Sequence, residues 1–335
     1  MGKQFQEQPL PPYGACLLGS FNLVKYIYSS ANLLKSHAWK FDYEQFRKDI
    51  PVVVRAMDNV VDRAIYPLPQ QSEEARNKRR MGLGVTGVAN AIERLGFPYG
   101  SPEFLSTLER ILTILRDEAY KASIELAKEK GAFPLFDVKL LESEFAKTLP
   151  ENIREDIRRY GLRNSHLLSI APTGTISLTA DNVSSGIEPV YLHELERRVG
   201  TPDGPKHFIL KDYAYEKWGI KGKTTEELSV DAHVKVLTLA SRYVDSACSK
   251  TCNVGDEVSW DEFKKVYMDA YEGGASGCTT FRASGKRFGI FKPVSESETN
   301  VSEPGDELSS SFADERAPEG TACYYDPATG QRSCE

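Results

Sequence analysis

The residues of this 335-residue chain best suited to redox or nucleophilic chemistry are six cysteines: Cys16, Cys248, Cys252, Cys278, Cys323 and Cys334. They are too sparse for a secreted disulfide scaffold, so reduced thiols in the cytoplasm are expected, some of them catalytic. Cys248 and Cys252 are four apart, which fits one face of a helix. No further ligands are spaced to complete a zinc site, so the pair reads as packing residues and no metal is expected. Cys323 and Cys334 close an acidic, Ser-rich segment, and thiols on a mobile arm suit disulfide exchange. The second chemical stretch is 167–191, LLSIAPTGTISLTADNVSSGIEPVY. An apolar run stopped by Pro and Gly reads as a buried strand entering a tight turn. In that turn, Pro172, Thr173, Gly174, Thr175, Ile176 and Ser177 set small, hydroxylated residues before a possible helix start. Free N–H groups there would hold a phosphate, with the hydroxyls as added donors. The alternative is an ordinary Ser/Thr cap with no ligand.

The elements that position these residues follow from periodicity. Ala15–Leu23 reads as a buried strand leading into a helix. Phe41–Tyr66 is helical, with Phe46, Ile50, Val53, Met57, Val60 and Ala64 on one stripe and Pro51 marking a start or kink. Glu73–Leu95 reads as a second helix. Pro102–Lys130 reads as a third, between a Ser101 cap and Gly131. Shorter helices are expected over Val138–Lys147 and Glu151–Tyr160, a strand over Val190–Leu195, and a long helix over Ser229–Ala247. A further helix runs from Ser259 to Gly273, followed by a strand over Gly277–Phe281. Strands separated by long helices imply an α/β fold with parallel elements. The domain reading is a loop over 1–12, a main domain over 13–292 and a flexible tail over 293–335, where apolar residues are too few to offset chain entropy.

Composition, 40% hydrophobic and 27% charged, is that of a globular chain large enough for a substantial core. A net charge of −6 supplies no basic field for a nucleic acid backbone. No apolar run is long enough for a membrane span, and the N-terminus has no signal-peptide core. Gly82-Leu83-Gly84-Val85-Thr86-Gly87 fits GxGxxG, but the preceding residues read as a charged helix and no acidic residue follows a second strand. The motif is therefore rejected as a dinucleotide site and read as a helix packed closely on its neighbours.

APTGTIS followed by SSGIEPVY resembles the substrate-phosphate loop of ribonucleotide reductase large subunits. RRMGLGVTGVANAIERLG is similar to a helix that recurs in the same family, and GACLLGSFNL to another of its segments. The resemblance covers Glu7 to about Phe291, plus the tail thiols. It implies the C-terminal half of the family's ten-stranded α/β barrel and radical reduction of a ribonucleoside diphosphate to the deoxyribonucleotide. On it, Cys16 is one member of the reducing pair. Cys323 and Cys334 are the tail pair that reopens the resulting disulfide, with thioredoxin or glutaredoxin as external reductant. QPLPPYGAC continues a catalytic loop in which Glu7 is the general base; without those flanks Glu7 would be an ordinary solvated carboxylate.

The position of the family's radical cysteine holds Phe5, which forms no thiyl radical. The expectation is therefore a reductase interrupted at this loop, with residues 1–6 read in from the interrupting element. The first reducing cysteine and the thiyl cysteine would come from an N-terminal half as partner, and the chain alone would not turn over. Gly277–Arg282 lacks the paired tyrosines of the iron-dependent class, and the tail lacks a glycyl-radical motif. The resemblance thus implies the cobalamin-dependent class II, with adenosylcobalamin as cofactor. Two other readings stay open: an inactive nucleotide-binding or regulatory relic, and an unrelated phosphate-binding α/β protein.

Overall fold

The computed structural model describes residues 10–31, 37–201, 204–255, 258–282, 291–293, 323–325 and 332–334. Glu7 and Phe5 lie outside them. The chain divides into two units, Met1–Val294 and Ser295–Glu335. In the first, strand β1 (Leu17–Asn22) runs through a 3-10 turn into β2 (Ile27–Ala31), which pairs with β3 (His37–Phe41) as an antiparallel hairpin. Helices α1 (Tyr43–Arg63) and α2 (Pro69–Lys78) follow, then β4 (Met81–Thr86), α3 (Val88–Arg94) and α4 (Pro102–Lys130).

The expected helix over Glu73–Leu95 is corrected here. Its middle is β4, wholly buried and paired in parallel with β1 from Leu17↔Met81 to Asn22↔Thr86. The glycines are strand residues. A Cβ on Gly84 would collide with the Ser169 carbonyl, and one on Gly82 with the Ser169 hydroxyl. Glycine lets the segment 167–170 come alongside β4, where Leu83 bridges Leu168 in parallel. Because the glycines lie within the strand rather than after it, the motif is not a dinucleotide fingerprint.

Helix α1 has its N-terminus capped by Asp42, whose carboxylate accepts from Gln45 N at 2.9 Å. The helix passes through Pro51, and its buried stripe is Phe46, Ile50, Val54, Met57 and Val61. Val60, expected on that stripe, is 48% exposed. Helix α4 begins at the Ser101 cap, with Pro102 in its first turn, and ends before Gly131. It buries Phe104, Leu108, Ile111, Leu112 and Leu115 against α1 and its neighbours. Each such side chain contributes roughly 1.5–3 kcal/mol. Behind this layer the Arg79 guanidinium donates to the fully buried Asp58 carboxylate at 2.6 Å and to Asp62 at 2.6 Å. That ion pair ties α1 to the start of β4.

After α5 (Glu144–Lys147) and α6 (Glu151–Tyr160), the segment 167–170 enters the sheet and leads to the short helix α7 (Gly174–Thr179). Strands β5 (Glu194–Thr201) and β6 (Gly204–Lys211) form a second antiparallel hairpin. Then come α8 (Tyr213–Trp218) and α9 (Val230–Ser241). Helix α9 stops short of the expected Ala247. The chain after it turns extended, so that Ile170 bridges Cys248 in parallel and β7 (Thr251–Asn253) follows. Cys248 and Cys252 are both buried, but on extended chain rather than one helix face. Helix α10 (Trp260–Glu272) opens with a capping box between Ser259 and Glu262. Strand β8 (Thr279–Phe281) then pairs in parallel with β7, and β9 (Phe291–Pro293) adds to β5.

The fold is thus mixed α/β. Its parallel stretches run side by side in chain order: β1, β4, 167–170, the chain from Ser246 through β7, and β8. Among the described residues β1 and β8 each have a strand on one side only, and no closed barrel is formed. In the second unit, β10 (Cys323–Tyr325) and β11 (Arg332–Cys334) pair antiparallel, with Cys323 opposite Cys334.

Candidate functional site

The turn that sequence singles out sits past the C-terminal end of β4. Thr173 is buried with φ of 53°, in the left-handed region that β-branched residues avoid. Its hydroxyl does not face solvent. Thr173 Oγ1 accepts from Gly186 N at 2.7 Å and lies 2.9 Å from Thr86 Oγ1. Thr86 donates to the Ser184 carbonyl at 3.2 Å, which leaves Thr173 as the donor between the two hydroxyls. Gly186, with φ of 52°, has the Ala171 carbonyl where a Cβ would stand. Asn90 completes the clamp by accepting from Ser184 N at 2.7 Å and donating to Asp212 at 2.9 Å. Loop 184–186, the end of β4 and the turn are therefore one hydrogen-bonded unit.

Helix α7 starts from this clamp. Ser177 N donates to Thr173 O at 2.8 Å, closing the first turn. The N–H groups of Gly174, Thr175 and Ile176 precede that bond and have no acceptor within the helix. All three residues are exposed, and nothing stands within 4 Å of a Cβ built on Gly174. Ser177 is buried, with its hydroxyl donating to Gly174 O at 3.0 Å and 3.1 Å from Ser185 Oγ. Of the expected hydroxyl donors, then, Thr173 and Ser177 shape the turn, and Thr175 alone presents its side chain outward. Pro172 is exposed at the entry.

Cys16 immediately precedes β1, at the opposite end of the strand pair. It lines a pocket of about 160 Å³ with Val60, Val61, Ala64, Tyr66 and Arg80. Burial pushes its thiol up to about 11; Arg80 acts in the other direction and Asp245 adds to the rise. Cys16 adjoins the Leu17↔Met81 pair and the turn adjoins Thr86, five strand residues away. At ~3.3 Å per residue that is about 17 Å along the strand. The turn and this sulfur therefore occupy two ends of one strand pair rather than one pocket. Glu7 lies outside the described residues, as do the side chains of Cys323 and Cys334, whose backbones face each other across β10 and β11.

Three positioning groups escaped sequence reasoning. Asp245 accepts from Leu167 N at 2.8 Å, Leu168 N at 2.9 Å and Tyr120 OH at 2.8 Å, holding the strand that feeds the turn. Lys250, fully buried, donates to Glu188 at 2.6 Å and to the Thr251 carbonyl at 2.7 Å, and lies 2.8 Å from His233 Nδ1. Glu188 also accepts from Thr251 N at 2.6 Å, which anchors the far end of the loop that carries Gly186. A Glu beside an apolar GI and a Lys after SACS carry no local sign of mutual contact. Among the described residues no cluster of His, Cys, Asp and Glu could hold a metal ion. No helix among them is long and apolar enough to cross a membrane.

Comparison with known proteins agrees with the motif reading. The vitamin B12-dependent ribonucleoside-diphosphate reductase of Mycobacterium tuberculosis (strain CDC 1551 / Oshkosh) is 31% identical over 303 residues, 82% of this chain and 40% of that protein. Its counterpart in Thermoplasma acidophilum is 30% identical over 311 residues, 84% of this chain and 37% of that protein. A ribonucleoside-diphosphate reductase subunit alpha of Chlamydia pneumoniae is 32% identical over 201 residues, 53% of this chain and 18% of that protein. The chain thus spans about two fifths of the B12-dependent relatives. The family model described as the ribonucleotide reductase barrel domain matches residues 6–281, and this chain belongs to that family.

Proposed function

We propose that this chain forms the C-terminal part of a class II ribonucleoside-diphosphate reductase and acts together with the family's N-terminal half. The observation that carries the reading is the clamped turn. Thr86, Thr173 and Gly186 fix the start of α7, where the exposed residues Gly174, Thr175 and Ile176 have N–H groups without an acceptor in the helix, past the carboxyl end of a parallel strand. Ligands of open parallel sheets bind at that end, and such N–H groups suit a diphosphate. Thr175 adds a side-chain donor.

Reduction replaces the ribose 2′-hydroxyl by hydrogen. Two thiols lose their hydrogens and form a disulfide while the hydroxyl leaves as water. Cys16 is assigned as one of those thiols, its partner lying in the N-terminal half. A thiol held near 11 stays protonated at neutral pH, as a hydrogen donor must. Glu7 would take the 3′-hydroxyl proton. Cys323 and Cys334 would reduce the disulfide by exchange and be reduced in turn by thioredoxin or glutaredoxin.

Adenosylcobalamin would supply the initiating radical, as the names of the B12-dependent relatives suggest. The pocket beside Cys16, at 160 Å³, is well below the ~300–1,000 Å³ of small-molecule sites, so it does not fit a corrin. His233 is engaged with Lys250 and Thr225, and His166 with Ser165. None of these residues is assigned to the cofactor. Among the described residues β1 and β8 are each paired on one side only, and Leu18 of β1 is 56% exposed, which suits completion of a barrel by the family's N-terminal half.

The test is to mix the two halves with a ribonucleoside diphosphate, a dithiol and adenosylcobalamin. Turnover without a second metallo-subunit is expected, and turnover that needs a di-metal subunit refutes the class. The separation of Cys16 from the turn favours one other reading, a nucleotide-binding relic. Diphosphate binding with no turnover in the same mixture would establish it.

A further inference from the structure

Two cysteines outside the proposed reducing set lie together on neighbouring parallel strands. Cys252 is in β7 and fully buried; Cys278 immediately precedes β8 and is partly exposed. Their sulfurs are 3.5 Å apart. The register pairs Thr251 with Thr279 and Cys252 with Thr280, so Cys278 is a diagonal neighbour of Cys252, offset by two residues along the strands. Lys250 brings a buried ammonium group to the same corner, fixed by Glu188 and the Thr251 carbonyl. The Cys252 thiol as hydrogen-bond partner, together with the Lys250 charge, draws Cys278 below the ordinary thiol range against the effect of its own burial. The same contact and burial push Cys252 far above that range. The corner therefore pairs the sulfur of a partly exposed cysteine, drawn toward the thiolate, with a buried sulfur 3.5 Å from it.

We propose that Cys278 and Cys252 form a dithiol modification site that takes low-molecular-weight disulfides, with Cys278 as the attacking sulfur and Cys252 as the resolving one. In the first step the Cys278 thiolate attacks a disulfide RSSR. The incoming S–S bond breaks, a mixed disulfide forms on Cys278, and RS⁻ leaves. In the second, Cys252 loses its proton and attacks the Cys278 sulfur, releasing the second RS⁻. Protonation of both leaving groups gives two RSH. The two protein thiols are oxidised by two electrons and the small disulfide is reduced by two.

Closing the bond requires the sulfurs to approach from 3.5 Å to about 2.05 Å. Diagonal neighbours sit wide for a disulfide, so β8 must shift along β7. It can do so because, among the described residues, it is paired on one side only. The site neither contains nor depends on the turn at Thr173, and the inference stands apart from the proposed reductase role.

The experiment uses the full chain, folded and reduced, treated with oxidised glutathione, quenched with N-ethylmaleimide and mapped after trypsin digestion. Arg242, Lys250, Lys265 and Arg282 place Cys248, Cys252 and Cys278 in separate tryptic peptides. The expected product is a linked Cys252–Cys278 peptide pair lighter by two hydrogens, with Cys248 still reduced. Cys252→Ser should trap glutathione on Cys278, and Cys278→Ser should leave Cys252 unmodified. Two outcomes overturn the inference: a wild-type chain in which Cys278 stays reduced or keeps its glutathione, and a Cys278→Ser chain in which Cys252 is still oxidised.

Discussion

Changing Thr173 to Val separates a residue that builds the turn from one that meets a ligand. Valine keeps the shape and the β-branch, so the strain of φ at 53° is the same in both chains. What is lost is the hydroxyl. Gly186 N loses its 2.7 Å acceptor and keeps only Thr86 Oγ1 at 3.2 Å, and Thr86 loses its 2.9 Å partner. Each neutral bond is worth roughly 0.5–1.5 kcal/mol net, and a buried donor left short of a partner costs about 1–3 kcal/mol. The sum is a loss of roughly 2–4 kcal/mol. Thr175→Val at the exposed position beside it should stay within about 0.5 kcal/mol. The assay is urea unfolding of both variants followed by tryptophan fluorescence, with the midpoint converted through a common slope. ADP binding is then measured on the folded proteins by calorimetry. Thr175→Val is expected to weaken binding with stability intact, and Thr173→Val to lower both. If Thr173→Val unfolds at the same urea concentration as Thr175→Val, the inward clamp is wrong.

Acid stability follows from His166, pushed down to about 4 by burial and by the nearby charges of Arg80 and Lys78. The unfolded chain protonates this imidazole near 6.5 and the native chain does not, so its contribution is complete above pH 6.5 and is lost as pH falls toward 4. By pH 4.5 the loss is roughly 2–3 kcal/mol, and His166→Asn should remove that much of the pH dependence in a urea series; an unchanged slope would exclude it. His233, pushed down to about 3, acts in the same direction, whereas Asp245, raised to about 6, gains stability on acidification from pH 6 to 4. At the buried ion pair, Lys250→Met removes the ammonium group from Glu188 and His233, leaving Glu188 only its bond from Thr251 N, and should cost about 3–5 kcal/mol in urea unfolding. Adding Glu188→Gln should recover part of that loss, and a double variant no better than the single one would show that the pair is not the cause.

What the sequence determined by itself is what neighbouring residues decide among themselves. Ser101, Pro102 and Gly131 bound α4 where the cap pattern puts them, and Ser259 with Glu262 opens α10, because a cap is satisfied within one turn of chain. Membership of the reductase family was legible in APTGTIS and SSGIEPVY for a related reason: each motif is a contiguous run of residues. Even the β5–β6 hairpin has a local signal, the Pro-Asp dipeptide between its strands.

Tertiary structure decided the rest. MGLGVT is short enough to be helix or strand, and it becomes a strand because Ser169 needs the space that Gly82 and Gly84 leave empty. The direction of the Thr173 hydroxyl depends on Thr86 and Gly186, 87 residues before it and 13 after it. The distance between Cys16 and the turn is set by the register of β1 on β4, and the contact of Cys252 with Cys278 by that of β7 on β8. Strand register is a pairing of distant segments, governed by which side chains fit across the sheet, and no window of neighbouring residues contains it.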